Sequence, residues 1–202
     1  MKETITKLEK ENIELKIEMS ELILELKHLQ NELKKNKKLA NFDFLTRLAN
    51  RSSFTRSLED MLKDYKEMNY PFGLIYIDLD NFKSINDNYS HNHGDLVLKE
   101  VSKALILANR ANSVIGRLGG EEFGIAVPGA NENILNIISE RVRIAIEEIE
   151  VPDITVNVTA SIGFYLPSTE DSLESIIQNA DKAMYFSKNN GKNQITNFKD
   201  II

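Results

Sequence analysis

Four carboxylates at two separated points of the chain have the type and placement to hold a hard cation. Gly119-Gly120-Glu121-Glu122-Phe123 sets two glycines ahead of two acids, with apolar stretches at 114–118 and 123–127 on either side. That pattern predicts a hairpin tip that presents carboxylates, with glycine supplying positive φ and close approach in the turn. The stretch 72–80 predicts a buried strand that delivers Asp78 and Asp80 to a sheet edge, both on one face by the period of two unless a turn beginning at Asp80 breaks that symmetry. If the strand end and the hairpin tip are neighbours, Asp78, Asp80, Glu121 and Glu122 surround one point. Carboxylate oxygens of that kind suit Mg²⁺, which keeps water and substrate phosphate among its ligands. Lys83, Lys188 and Lys192 fall near predicted turns, where they could balance a triphosphate. Asn86, His91 and Asp95 lie in a turn-rich stretch, and an Asn with an Asp can meet the donor and acceptor edge of guanine. His91, Asn92 and His93 lack the helical spacing of a zinc site. A solvated face would carry the same charges, and the pattern alone leaves both readings open.

These residues need elements to position them. A helical pattern runs through Leu96, Leu98, Val101, Leu105 and Ala108; the hairpin follows, then a helix near 132–149. A strand is predicted through Ile154, Val156, Val158, Ala160 and Ile162, a helix over 172–188, and a short strand near Ile195 after an asparagine-rich turn. Helices alternating with strands that include a hairpin imply an α/β or α+β domain on one mixed or antiparallel sheet.

The first 40 residues have a different character. Within them no proline or glycine occurs, and residues repeat at spacings of four and three: Met1, Ile5, Leu8, Asn12, Leu15, Met19, Leu22, Leu26, Leu29, Leu33, Asn36, Ala40. This is a heptad seam with leucine at four consecutive d positions, which favours a parallel two-stranded coil. Asn12 at an a position, and the pairs Glu11 with Lys16 and Glu32 with Lys37, favour the same arrangement. Ile13, Ile17 and Leu24 form a weak second stripe, which leaves room for another register or partner. The expected division is a dimeric coiled-coil helix over 1–40 and a globular domain over 41–202.

A net charge of −6 over 202 residues argues against a broad nucleic-acid surface, so phosphate binding has to be local. No cysteine is present, and no apolar run approaches the roughly 18 residues of a membrane span. The start lacks the apolar core of a signal peptide. The expectation is a cytoplasmic protein, and the sequence leaves open whether a sensor or membrane segment precedes Met1.

Several separated motifs resemble one family. Residues 43–51, Asp-Phe-Leu-Thr-Arg-Leu-Ala-Asn-Arg, resemble D-x-L-T-G-L-x-N-R, with Arg47 where glycine is usual. Residues 78–87 fit D-x-D-x-F-K-x-I-N-D, and His91-Asn92-His93-Gly94-Asp95 continues the match behind Ser90, again where glycine is usual. Ser161-Ile162-Gly163 resembles S-x-G, and Asp181-Lys182-Ala183-Met184-Tyr185 with Lys188 and Gly191-Lys192-Asn193 resembles D-x-A-M-Y…K…G-[RK]-N. Over about Asn41 to Phe198 the chain is similar to the diguanylate cyclase (GGDEF) domain in its GGEEF variant.

The resemblance implies a nucleotide-cyclase-like palm, a central mixed sheet surrounded by helices, that condenses two GTP into cyclic di-GMP with release of two pyrophosphates. It implies Mg²⁺, or Mn²⁺ in its place, on Asp78, Glu121 and the Leu79 carbonyl, with Glu121 preferred over Glu122 as proton acceptor. It implies Asn86 and Asp95 on guanine, His91 supporting their loop, and backbone amides near Asn81 and Phe82 with Lys83, Lys188 and Lys192 on the β- and γ-phosphates. Lysine at 192 gives up the bidentate geometry of the commoner arginine. The family's product-inhibition motif R-x-x-D reads Arg110-Ala111-Asn112-Ser113 here, so loss of the aspartate predicts weak feedback. One GTP per domain requires two facing domains, so the implied enzyme is a homodimer held by the coil. Two alternatives stand beside it: a silent nucleotide-binding or dimerisation module, and a cyclase or linear nucleotidyl transferase of altered base choice.

Overall fold

The computed structural model describes residues 15–16, 19–30, 32, 41–109 and 111–201. The chain divides into two compact units, Met1–Asn41 and Phe42–Ile202, so Asn41 falls with the first unit. In the first unit residues 19–30 are continuously helical, and the seam residues Leu15, Met19, Leu22, Leu26 and Leu29 are all exposed. Ile23 and Leu24, beside the seam, are exposed as well. The remaining seam positions, including Asn12, and one member of each proposed ion pair lie outside the described residues.

The second unit is built on a six-stranded mixed sheet. Its strands are β1 (Ala49–Asn50), β2 (Phe72–Leu79), β3 (Val114–Arg117), β4 (Glu122–Pro128), β5 (Ala160–Tyr165) and β6 (Ile195–Asn197), in the order β1-β3-β4-β2-β5-β6. The pairs β1 with β3 and β5 with β6 are parallel, and the three central pairings are antiparallel. The helices are α1 (Arg51–Met68), α2 (Phe82–Asn88), α3 (His91–Ala108), α4 (Glu132–Glu147) and α5 (Leu173–Asn189), with a closing 3₁₀ turn at Phe198–Ile201. Every residue of β2 is buried, because helices cover both faces of the sheet. One face packs Ile75, Ile77, Leu79, Ile125 and Ile162 against α2, α3 and α4. The other packs Leu74, Tyr76 and Ala126 against Phe54, Leu58 and Leu62 of α1 and Ile176, Ala180 and Met184 of α5.

Strand β1 and helix α1 are elements that the hydrophobic pattern read above passes over. The signals are present nonetheless: Asn50 caps Ser53 N at 3.0 Å, and Phe54, Leu58 and Leu62 recur every four residues. The paired glycines Gly116 and Gly124 receive the Phe54 ring, since a Cβ on either would lie 2.7 Å from it. Gly163 does the same for α5: a Cβ there would run into the backbone of Ala180 and Met184. This close approach brings the end of α5 to the acidic end of β2.

Three expectations need correction. The predicted strand over 154–162 begins only at Ala160. Ala160 pairs with Leu79, the last residue of β2, so the residues before it have no ladder partner there. The stretch read as turn-rich is largely helical: Asn86 lies on α2, anchored by buried Phe82 and Ile85, and His91 and Asp95 lie in the first turns of α3. Of the apolar positions that define the helical pattern of α3, Leu96 does not join the core and is exposed.

Candidate active site

The sheet register brings the two acidic points together. Asp78 pairs directly with Glu122 on β4 and with Ser161 on β5, and Leu79 N donates to the Glu121 carbonyl at 3.2 Å. Lys188 Nζ, at the end of α5, lies 2.6 Å from Asp78 Oδ1. Burial raises the pKa of Glu121, and the neighbouring Asp78 carboxylate raises it further, with Lys188 opposing and Glu122 adding to the rise. For Lys188 burial lowers the pKa, but the bond to Asp78 and the charges of Asp78, Glu121 and Asp80 together outweigh it and the net direction is upward. A crowded pair of acids with an ammonium pressed against one of them is an anionic pocket already drawing in positive charge.

The hairpin tip works differently from the expectation of positive φ. Among the described residues the glycines with positive φ are Gly129 and Gly191, neither of them in this turn. Arg117 holds the tip instead, donating from Nε to the Gly119 carbonyl at 3.2 Å and from Nη2 to that of Gly120 at 2.8 Å. Its Nη1 reaches Asp43 at 3.1 Å, and Asp43 also accepts from Thr46 N and Oγ1 at 2.8 and 2.7 Å. The opening D-x-L-T motif is therefore stapled to the hairpin. At Gly119 the Glu122 carboxylate lies where a Cβ would be and would have to shift to admit one, whereas nothing lies within 4 Å of that place at Gly120.

Asp80 does not join this group. It is buried, and it accepts from Ser161 Oγ at 2.6 Å, Thr159 Oγ1 at 2.8 Å and Asn193 N at 3.0 Å. The turn that begins after β2 breaks the shared face that a period of two would give. Two residues without an assigned role belong near the acids instead. Burial raises the pKa of Asp181 and the Asp78 charge raises it further; burial raises that of Tyr76, with Glu122 and Asp181 adding to the rise. Tyr76 stands two residues before Asp78 on one face of β2, and Asp181 stands two helical turns before Lys188 on α5, so spacing could have found both.

The remaining candidates take separate places. Lys192 Nζ lies 2.6 Å from Oδ1 of Asn81, the residue just before α2, and Phe82 beside it is buried. Lys83 is exposed on α2. Asn86 fills the space left by the absent side chain of Gly94, which sets α2 against α3 just before exposed Asp95. His91 is exposed at the start of α3, and it is His93 that supports the loop, with Nδ1 2.9 Å from Ser90 Oγ and its ring tilted against Tyr89. Arg110 lies outside the described residues, while Ser113 Oγ is buried with no hydrogen-bond partner among them.

The profile described as diguanylate cyclase, GGDEF domain, matches residues 40–194. The chain belongs to the GGDEF domain family. It is 35% identical over 177 residues to diguanylate cyclase VdcA of Vibrio cholerae serotype O1, covering 85% of this chain and 51% of that one. With diguanylate cyclase DosC of Escherichia coli K12 it shares 30% identity over 190 residues, 93% of this chain and 41% of the relative. The chain thus spans about half the length of these relatives. Among solved structures it resembles the coiled coil and GGDEF domain of DgcB from Caulobacter crescentus in complex with c-di-GMP. That match has a TM-score of 0.84 at 26% identity, covering 91% of this chain and 98% of that one. It also resembles the active GGEEF domain of a diguanylate cyclase from Vibrio cholerae, with a TM-score of 0.71 at 28% identity over 75% of this chain and 97% of that one. The mixed sheet with helices on both faces is therefore the GGDEF fold. Among the described residues no helix is long and apolar enough to cross a membrane.

The donor set fits a hard divalent cation. The Asp78 and Glu121 carboxylates lie near enough to act on each other where β2 ends and the hairpin turns, and Lys188 already supplies a positive charge to Asp78. Among the described residues no three His, Cys, Asp or Glu side chains form a complete metal cage. Mg²⁺ bound through one or two carboxylates and substrate phosphate needs none.

Proposed function

We propose that this GGDEF domain is a diguanylate cyclase that condenses two GTP molecules into cyclic di-GMP and releases two pyrophosphates. The observation that carries the reading is the acidic edge where Asp78 and Glu121 meet under the Lys188 ammonium. Asp78, Glu121 and the Leu79 carbonyl would hold Mg²⁺, or Mn²⁺ in its place. When bound, the ion would draw charge from the α-phosphoryl group and lower the pKa of the attacking 3′-hydroxyl. Glu121, whose pKa burial and Asp78 raise, is the proton acceptor for that hydroxyl, and Glu122 is the second acid of the site. Lys188 and Lys192 rest on oxygens of the site itself, Asp78 and Asn81, and phosphate oxygens would compete for both cations. Asn86 and Asp95 read the guanine edge, because an ionised Asp95 accepts from guanine N1–H and N2–H, donors that adenine lacks. Lys83 on α2 and the amides near Asn81 and Phe82 would serve the β- and γ-phosphates, and His91 at the start of α3 would support the guanine loop.

Two phosphodiester bonds between two nucleotides require two domains face to face. We assign their pairing to the amino-terminal helix, whose exposed stripe of Leu15, Met19, Leu22, Leu26 and Leu29 fits a second copy of itself in a parallel coil. Feedback through Arg110 and Ser113 is weak on this reading, since serine supplies no carboxylate to organise the arginine. Incubation with GTP, ATP and Mg²⁺ and mass identification of products tests the chemistry: cyclic di-GMP from GTP alone is expected, and a linear, mixed or absent product refutes it. Removal of residues 1–38 tests the coil, since activity per site at low nanomolar protein should collapse, and unchanged activity excludes the coil as the dimerising element.

A further inference from the structure

Lys192 sits in an unusual piece of backbone. Three consecutive residues have positive φ, Gly191 at 117°, Lys192 at 62° and Asn193 at 42°, and only the first is a glycine. Left-handed backbone is unfavourable for a side chain such as lysine, so neighbouring contacts have to enforce it. Asn193 supplies them. Its backbone N–H donates to Asp80 Oδ2 at 3.0 Å, its Oδ1 accepts from Arg143 Nη1 at 2.8 Å, and its Nδ2 donates to Glu147 Oε1 at 2.8 Å. Arg143 is itself immobilised on α4, bonded to Glu140 through Nε and Nη2 and to Glu147 through Nη1, and its side chain is only 16% exposed. The geometry therefore runs from α4 through Asn193 to the turn whose next residue back, Lys192, reaches Asn81 at the start of α2.

We propose that Arg143 is a positioning residue for the substrate's triphosphate: by clamping Asn193 it fixes the left-handed turn that aims Lys192 at the β- and γ-phosphates. Arg143 makes no contact with nucleotide in this scheme. Its chemistry suits the task, because a planar guanidinium can bond two carboxylates and an amide oxygen at once, which an ammonium cannot do in one plane. The inference rests on the proposed role of Lys192 in phosphate binding, and it differs from a simple stabilising role in what it predicts for ligands of different length.

The test is calorimetric binding to the full chain, with Mg²⁺, of α,β-methylene GTP and of GMP, which lacks the β- and γ-phosphates. Arg143→Met should weaken the triphosphate analogue by about tenfold, the worth of one charge-assisted contact, and leave GMP affinity unchanged. Asn193→Ala, which cuts the link but keeps the ion pairs of Arg143 on α4, should give the same selective loss. In a Lys192→Met background neither substitution should have a further effect. Equal weakening of both ligands, or a loss that persists without Lys192, overturns the positioning role. Failure of the unsubstituted chain to bind either nucleotide overturns the nucleotide-binding reading and this inference with it.

Discussion

Asp78 and Asp80 are two residues apart at the same strand end, yet they are held by opposite means. Asp80 is buried under three neutral donors, Ser161, Thr159 and the Asn193 backbone, none of which can leave without stranding a polar group. Asp78 is held by Lys188, a charged side chain on a flexible stem that remains 31% exposed. A carboxylate tied by fixed neutral donors is part of the frame, and one tied by an exchangeable cation is available for chemistry.

The sharpest way to break this comparison is to neutralise each acid in turn. Asp78→Asn should lower turnover by about 1,000-fold while the unfolding midpoint in urea stays close to that of the parent, because it removes site charge and leaves the frame intact. Asp80→Ala should do the reverse at first: equilibrium unfolding should show a loss of about 3 kcal/mol, since buried Ser161 Oγ and its fellow donors lose their acceptor. A stability loss for Asp78→Asn as large as that for Asp80→Ala would abolish the distinction.

Smaller effects should come from the backbone around the proposed guanine loop. Ser90 has φ 145° and ψ 165°, a region that is nearly the preserve of glycine, and Ser90→Gly should stabilise the fold by about 1 kcal/mol in thermal melts. The net gain is reduced by loss of the Ser90 to His93 bond. The smallest effect concerns pH. Burial raises the pKa of Asp43, but bonds from Thr46 and Arg117 outweigh it and hold the folded value below the ordinary 3.8. The unfolded chain then takes the proton first on acidification, so this contribution is full above the ordinary value and is lost as pH falls through the folded one. Thermal unfolding between pH 7 and pH 3 should show a shallower acid decline for Asp43→Asn than for the parent.

Some of this was legible in the residues. Arg47 and Ser90 both stand where the family usually has glycine, and both adopt positive φ, 62° and 145°. The motif carried the backbone requirement even where the residue had changed. Helix ends were legible where caps and breakers mark them, as at Ser172 before α5. Strand β5 was overextended because alternation in 154–158 looks like a strand to a period count, whereas a strand exists only where a neighbour accepts its hydrogen bonds. Tyr76 and Asp181 share a face or a helix with Asp78 and Lys188, but only their neighbours on other elements show that they act on the acids.

By itself the sequence determined the family, the two characters of the chain and the identity of the charged groups, because those depend on residue type and local spacing. That Asp78 and Glu121 meet follows only if β2 and the hairpin are neighbours, which the strand order settles and residue spacing leaves open. Only the tertiary structure decided which acids are frame and which are site. Asp78 and Asp80 have the same chemistry, and what separates them is which donors from β5, α5 and the Lys192 turn arrive within about 3 Å, a distance set by long-range packing and invisible to local pattern.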